Sequence, residues 1–184
     1  TTEPRDAQAW LAASGGALDG IVAKRRDEPY RSGERAMVKV KQHRTADCVV
    51  GGYRLSGGTV GSLLLGLYDA EGLLNYVGFT SSFSAPERDA LLPVLEALHG
   101  PSAFTGSSPG GKSRWSRGRS TEWVPLKPER VVEVIYDQVT GQRFRHGTTF
   151  HRWRPDKAPR QCTMEQLEHE LRPAALAKVF EAAL

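Results

Sequence analysis

The chain has 184 residues, 39% of them apolar, with 25 Lys and Arg against 21 Asp and Glu for a net charge of +4. That is enough apolar material for one well-cored domain and a smaller piece, which excludes a disordered tail. No run of about 18 apolar residues occurs and the start, TTEPRDAQAW, is not a signal peptide, so a soluble, non-exported, cytoplasmic protein without a membrane partner is the expectation.

Residues 3–14 are predicted to form a short helix, with Thr2 as a possible N-cap, Trp10 and Leu11 as apolar anchors and Gly15-Gly16 as its end. Two strands follow, LDGIVAKR and MVKVK, separated by the turn-rich RDEPYRSGERA. One helix and two strands leave most of a sheet edge unpaired, so residues 1–44 read as the end of a larger domain. Strand alternation puts Lys39 and Lys41 on one face, roughly 6–7 Å apart, where two ammonium groups suit a phosphate. In LDGIVAK, Asp19 shares a face with Ile21 and Ala23, while Gly20, Val22 and Lys24 take the other; Gly20 permits close approach by a ligand or a neighbouring strand. Asp19 is a candidate metal-binding carboxylate.

From residue 48 the texture changes to short strands. CVVGGY, GSLLLGLY and LLNYVGF are the first three, with YDAEG as the turn between the last two and Leu63, Leu65 and Leu67 on one face. A helix is then predicted, capped by Ser84 and Glu87, with Leu91, Leu95 and Leu98 at helical spacing and Pro93 a kink. After a Gly/Ser/Pro-rich basic loop over residues 100–120, two long strands are predicted in RVVEVIYDQV and RFRHGTTFHRWR, joined near Thr140-Gly141. Three strands, a helix and two strands make the fold class mostly β with α: a five-stranded OB-type barrel over residues 45–162 with a helix between strands three and four. Residues 163–184 read as a helical tail broken at Pro173, with Thr163 and Gln166 a second capping pair and Leu167, Leu171, Val179 and Phe180 an apolar stripe. Cys48 and Cys162 form no CxxC pair, fit a reducing compartment and are given no role.

Basic residues crowd into Lys24–Lys41, Lys112–Arg119 and Arg143–Lys157, the footprint of a phosphate-rich partner. In HRWRPDK, Arg152 and Arg154 flank Trp153, and Pro155 ends the strand so that Asp156 and Lys157 sit in a turn. A guanidinium fork, a point charge and a carboxylate to orient them result.

The order DGIVAK, VKVK, barrel, RPDK, with the linking phrases PYRSGER, VVGGY, GSLLLGLYD and RFRHGTTFHRWRPDK, resembles the ATP-dependent DNA ligases of the bacterial C and D types, most closely Ligase C, from about Leu18 to Leu167. The resemblance implies that residues 1–44 are the last helix and strands of a nucleotidyltransferase (adenylation) domain. It implies ATP and a divalent metal, Mg²⁺ or Mn²⁺, as cofactors and nicked double-stranded DNA as partner, with nucleoid association through that DNA. Asp19 stands at the acidic position of the family's fourth motif, where glutamate is commoner, and would bind the metal. Lys24 ends that motif near the nucleotide. Lys39 and Lys41 match the fifth motif, which contacts the AMP phosphate and the phosphate in transfer. Arg154, Asp156 and Lys157 match the sixth, which orients the β and γ phosphates of ATP. Arg31 in PYRSGER, and Lys112, Arg114, Arg117 and Arg119 around Trp115, are expected to meet the DNA backbone. The family's nucleophile is the lysine of Lys-x-Asp-Gly; Ala17 stands two before Asp19, so the nucleophile is expected in an N-terminal adenylation part outside these residues, and these residues alone are expected to be inactive. A free-standing OB module that binds nucleic acid without catalysis is the alternative, and an RNA ligase or capping-type transferase a third.

Overall fold

The computed structural model describes residues 1–13, 18, 20–41, 43–110 and 122–167. These fall into two compact units, one running up to His43 and the other Arg44–Leu167.

The first unit holds helix α1 (Pro4–Ala13) and strands β1 (Ile21–Lys24) and β2 (Met37–Val40). The helix begins at Pro4, one residue later than predicted, and is entered at Thr1 rather than Thr2: the Thr1 hydroxyl donates to Asp6 and accepts the Glu3 N–H. β1 and β2 pair antiparallel, with Val22 opposite Lys39 and Lys24 opposite Met37, which places Lys24, Val22 and Lys39 on one face of the ribbon. Gly20 has φ +151°, and a Cβ there would run into the carbonyl oxygen of Val40. The close approach expected at this glycine is therefore made by the neighbouring strand. Val22, Val38 and Val40 are 50%, 64% and 43% exposed, so a two-stranded ribbon buries neither of its faces.

The second unit is built on β3 (Arg44–Ser56), β4 (Thr59–Tyr68) and β5 (Leu74–Thr80), an antiparallel meander, followed by α2 (Ala85–Glu96), the two-residue β6 (Val124–Pro125), β7 (Val131–Tyr136), β8 (Val139–Thr140), β9 (Arg143–Phe144) and β10 (Thr149–Trp153). The sheet order is β10-β7-β3-β4-β5, with β6 also on β3. Register shifts at Val50/Gly52, Arg54/Leu55 and Leu65/Gly66 are bulges that bend the long strands. That curvature brings the two edges together: Thr80 and Thr148 form a parallel bridge, with Thr148 N–H donating to Phe79 at 2.9 Å and the Thr80 hydroxyl to the Thr148 carbonyl at 3.0 Å. The first strand pairs with the second and fourth, the third meets the fifth in parallel, and a helix lies between third and fourth. This is the OB barrel.

Leu63, Leu64, Leu65 and Leu67 are all fully buried, rather than the odd-numbered ones alone. One face of β4 lines the barrel and the other is covered, in part by α2, so alternation of burial is lost. Phe104 covers the adjoining strand at Gly51, where any Cβ would lie 2.6 Å from its ring. The two long strands predicted after the basic loop are each divided in two, because Val139–Phe144 closes its own two-residue hairpin before the chain turns to meet β5 at Thr148. Met164–Leu167 form a short 3-10 turn, Thr163 bridges Tyr68, and Tyr68 N–H donates to the Cys162 carbonyl at 2.8 Å. Residues 168–184, with the remaining stripe positions, lie outside the described residues. Among the described residues no helix is long and apolar enough to cross a membrane.

α2 begins as read: the Glu87 carboxylate accepts both the N–H and the hydroxyl of Ser84 at 2.7 Å. Its firmest tie to the barrel is Arg88, whose guanidinium donates to the carbonyls of Val60 (2.7 Å), Gly61 (2.8 Å), Phe83 (3.1 Å) and Ser81 (2.5 Å). Four carbonyls at a strand end and a helix entry have one donor side chain in common. Arg88→Met is expected to lower stability by roughly 2 kcal/mol, read as a fall of several degrees in Tm, with no recovery in Arg88→Lys because an ammonium cannot span the fork. Equal melting of Arg88→Met and the parent chain would show that these bonds contribute nothing net.

Candidate functional site: an ion network at the end of the barrel

The β3–β7–β10 register sets Asp47 opposite Glu133 and Glu133 opposite Arg152. Two carboxylates therefore stand side by side on neighbouring strands, an arrangement that is unfavourable unless cations lie between them. β10 and the residue just after it supply those cations, since Arg152 and Arg154 keep the same parity and project to the Asp47 and Glu133 side. Trp153 goes to the opposite side and packs edge-on against Phe150 at 5.6 Å, which in turn meets Phe83 at 5.1 Å.

Arg152 Nε donates to Glu133 at 2.6 Å. Arg154 Nη1 donates to both oxygens of Asp47 at 2.9 and 3.0 Å and lies 3.8 Å from Glu133. Pro155 then turns the chain, and Lys157 N–H closes the turn on the Arg154 carbonyl at 3.2 Å. The turn swings Lys157 Nζ to 2.7 Å from Asp47 and Asp156 against the remaining edge of Arg154, with Nε at 3.0 and 3.1 Å and Nη2 at 2.8 Å. The Asp47 and Glu133 side chains are each 12% exposed, Arg154 19% and Lys157 23%, whereas Asp156 is 61% exposed.

The expected pair Thr163 and Gln166 meets at the 3-10 turn Met164–Leu167, where the Gln166 amide donates to the Thr163 carbonyl at 3.2 Å rather than closing a capping box. The same side chain also accepts the Asp47 N–H at 2.9 Å and donates to the Asp47 carbonyl at 3.1 Å. Asp47 is thus held by its own strand, by Gln166 and by two cations.

Hydrogen bonding from Arg154, then its own backbone N–H, lowers the Asp156 carboxyl to about 2. The reciprocal bond raises Arg154, and the Arg152 bond lowers Glu133. Burial raises the thiols of Cys48 and Cys162, the latter to about 11, so neither is a ready thiolate.

Arg154, Asp156 and Lys157 of the predicted set are brought together. Asp47, Glu133 and Gln166 were missed, although an aspartate inside the buried run ADCVV was a signal that a cation must sit nearby. Lys24 and Lys39 share a face of the β1–β2 ribbon, with Lys41 just beyond its end. Arg31 is exposed and pairs with Glu34 at 3.4 Å. Asp19, Lys112, Arg114, Arg117 and Arg119 lie outside the described residues. Among the described residues no three His, Cys, Asp or Glu side chains are grouped to hold a metal ion, so they do not by themselves make up a metal site.

A depressed carboxyl stabilises the fold above the ordinary aspartate range, about 4, and that contribution is lost as the pH falls toward about 2. A carbon-13 titration is expected to give an Asp156 midpoint near 2 and to return it to the ordinary range in Arg154→Ala. A normal midpoint in the parent chain would mean that the Arg154–Asp156 bond is not held in solution.

Comparison with known proteins agrees with this architecture. Residues 56–157 match the family model of the ATP dependent DNA ligase C terminal region. DNA ligase C1 of Mycolicibacterium smegmatis is 49% identical over 170 residues, 88% of this chain and 48% of that protein. DNA ligase C of Mycobacterium tuberculosis is 45% identical over 187 residues, 93% of this chain and 52% of that protein. The ligase domain of M. tuberculosis LigD superposes with a TM-score of 0.56 at 34% identity, over 78% of this chain and 47% of that one. The chain spans about half the length of the curated relatives it matches. With a β-barrel of OB topology, RPDK set in an ordered ion network, and matches of this extent, the chain belongs to the ATP-dependent DNA ligase family, as its C-terminal region.

Proposed function

We propose that this chain is the C-terminal portion of an ATP-dependent DNA ligase that seals nicks in double-stranded DNA in three steps: adenylation of a lysine, transfer of AMP to a DNA 5′-phosphate, and attack by the 3′-hydroxyl with release of AMP. In this reading residues 1–44 close an adenylation domain whose nucleophile lies outside these residues, residues 45–162 are the OB domain and residues 163–184 a tail. The exposed valines of the β1–β2 ribbon support the first of these assignments, since such a face needs further strands or helices to cover it.

The observation that carries the proposal is the convergence of Arg154 and Lys157 on one carboxylate, at 2.9 and 2.7 Å. A guanidinium fork and an ammonium group held that close together suit adjacent phosphates of a nucleotide triphosphate. During attack at the α phosphorus, negative charge grows on the phosphate oxygens, and cations fixed beforehand stabilise it without reorganising. Lys39 and Lys41, with Lys24 on the ribbon face of Lys39, serve the AMP phosphate. Arg154 and Lys157 orient the β and γ phosphates, which leave as pyrophosphate after the first step, so their work ends there. Arg31 and the loop containing Lys112, Arg114, Arg117 and Arg119 contact the DNA backbone. The enzyme works in the cytoplasm with ATP and a divalent cation.

In the full-length parent, Arg154→Ala or Lys157→Ala is expected to cut enzyme adenylation by about a hundredfold, the loss of one strong charge-assisted contact, while sealing of a pre-adenylated nick largely survives. Lys41→Ala is expected to damage the later steps as well. Equal loss at every step from the Arg154 and Lys157 changes would contradict the division of labour.

A further inference from the structure

Arg154 is hydrogen-bonded to two carboxylates, and they are not equivalent. Its inward nitrogen, Nη1, is bound by Asp47, which is buried near the start of the sheet's central strand β3 and is clamped through its backbone by Gln166. Its outward edge, Nε and Nη2, is covered by Asp156, which is exposed and sits in a turn two residues away. The edge formed by Nε and Nη2 is one that an arginine uses for bidentate phosphate binding. A phosphate arriving from solvent can displace Asp156 by a side-chain rotation, but displacing Asp47 would leave a buried carboxylate without its cations, next to Glu133.

We propose that Asp47 is a positioning residue that holds Arg154 and Lys157 side by side during phosphate binding, and that Asp156 is the carboxylate the phosphate displaces. Asp47 does not touch the nucleotide; it acts through the two cations, fixing Nη1 of one and Nζ of the other so that the Nε/Nη2 edge faces outward. Asp156 keeps that edge neutral until a phosphate takes its place. The inference rests on the reading of Arg154 and Lys157 as phosphate-binding groups and adds which of their two acidic partners stays.

Simple charge counting gives both aspartates the same sign, since neutralising either would favour an anion. Positioning gives them opposite signs, and a charge-neutral variant separates the two accounts. Binding of inorganic tripolyphosphate to the 184-residue chain, measured by calorimetry and by the Arg154 Nε–Hε resonance, is therefore the test. Asp156→Asn is expected to bind about fivefold more tightly, and Asp47→Asn and Gln166→Ala about fivefold more weakly, each the equivalent of one ion-pair contact. Gln166→Ala removes the clamp on Asp47 without changing any charge, so it decides the matter if Asp47→Asn fails to fold. Tighter binding by Asp47→Asn, unaltered binding by a folded Gln166→Ala, or no gain in Asp156→Asn would overturn the inference and leave the phosphate reading standing. No tripolyphosphate binding by the parent chain, or binding untouched by Arg154→Ala, would overturn the phosphate reading itself and the inference with it.

Discussion

Two carboxylates on neighbouring strands, Asp47 and Glu133, face one another at the end of the barrel, and the arrangement of cations around them follows from that pairing. Like charges about 5 Å apart repel by roughly 3 kcal/mol at the effective dielectric of a protein surface, and more as water is excluded. Arg152, Arg154 and Lys157 lie where they neutralise that repulsion, which makes the group of six side chains, with Asp156, electrically balanced. On the proposed reading, in which this site meets a polyanion, it reaches the folded state with its cations already ordered. The ordering cost of two long side chains, on the order of 2 kcal/mol each, is met during folding rather than during binding.

The rest of the barrel serves to keep that register. A slip of one residue between β3 and β7 would send Asp47 to the other face and take Arg154 out of reach. The bulges that curve β3 and β4, the Thr80–Thr148 bridge that joins the edges, and the Arg88 tie between α2 and β4 all hold strands that are remote from the ion network but set its geometry. The segment after β10 matters for the same reason, because Gln166 returns to Asp47 from 119 residues away.

Much of this was legible in the sequence, and what was not has a common cause. Strand and helix order followed from local patterns such as GSLLLGLY and Ser84-x-x-Glu87, and that order alone implied the OB barrel. RPDK could be read because its proline, carboxylate and cations are adjacent in the chain. Asp47, Glu133 and Gln166 were not, because each gains its role from a partner distant in the sequence; the aspartate in ADCVV signals only that some cation is near, and VVEVIY and TMEQ carry no local mark. Gln166 is the clearest case: its spacing from Thr163 suggested a local cap, and a long-range bond to the Asp47 backbone took precedence. The break between Val139–Phe144 and Thr149–Trp153 was hidden for the same reason, since the parallel bridge to Thr80 depends on a strand far away in the sequence.

The central claim is that these 184 residues bind and orient phosphates while the attacking lysine lies elsewhere. Covalent nucleotidyl transfer needs an amine that is partly unprotonated and in line with the α phosphorus, within walls on several sides. Lys24 is exposed on a two-stranded ribbon and has no such enclosure among the described residues of its own unit. The most direct measurement is incubation with ATP labelled at the α phosphate and a divalent cation, followed by mass spectrometry of the protein. No covalent AMP is expected on the 184-residue chain, and a phosphoramidate is expected on the lysine of a Lys-x-Asp-Gly in the longer parent. AMP on Lys24 of the short chain would contradict the account and make ALDGIVAKRR itself the nucleophile site.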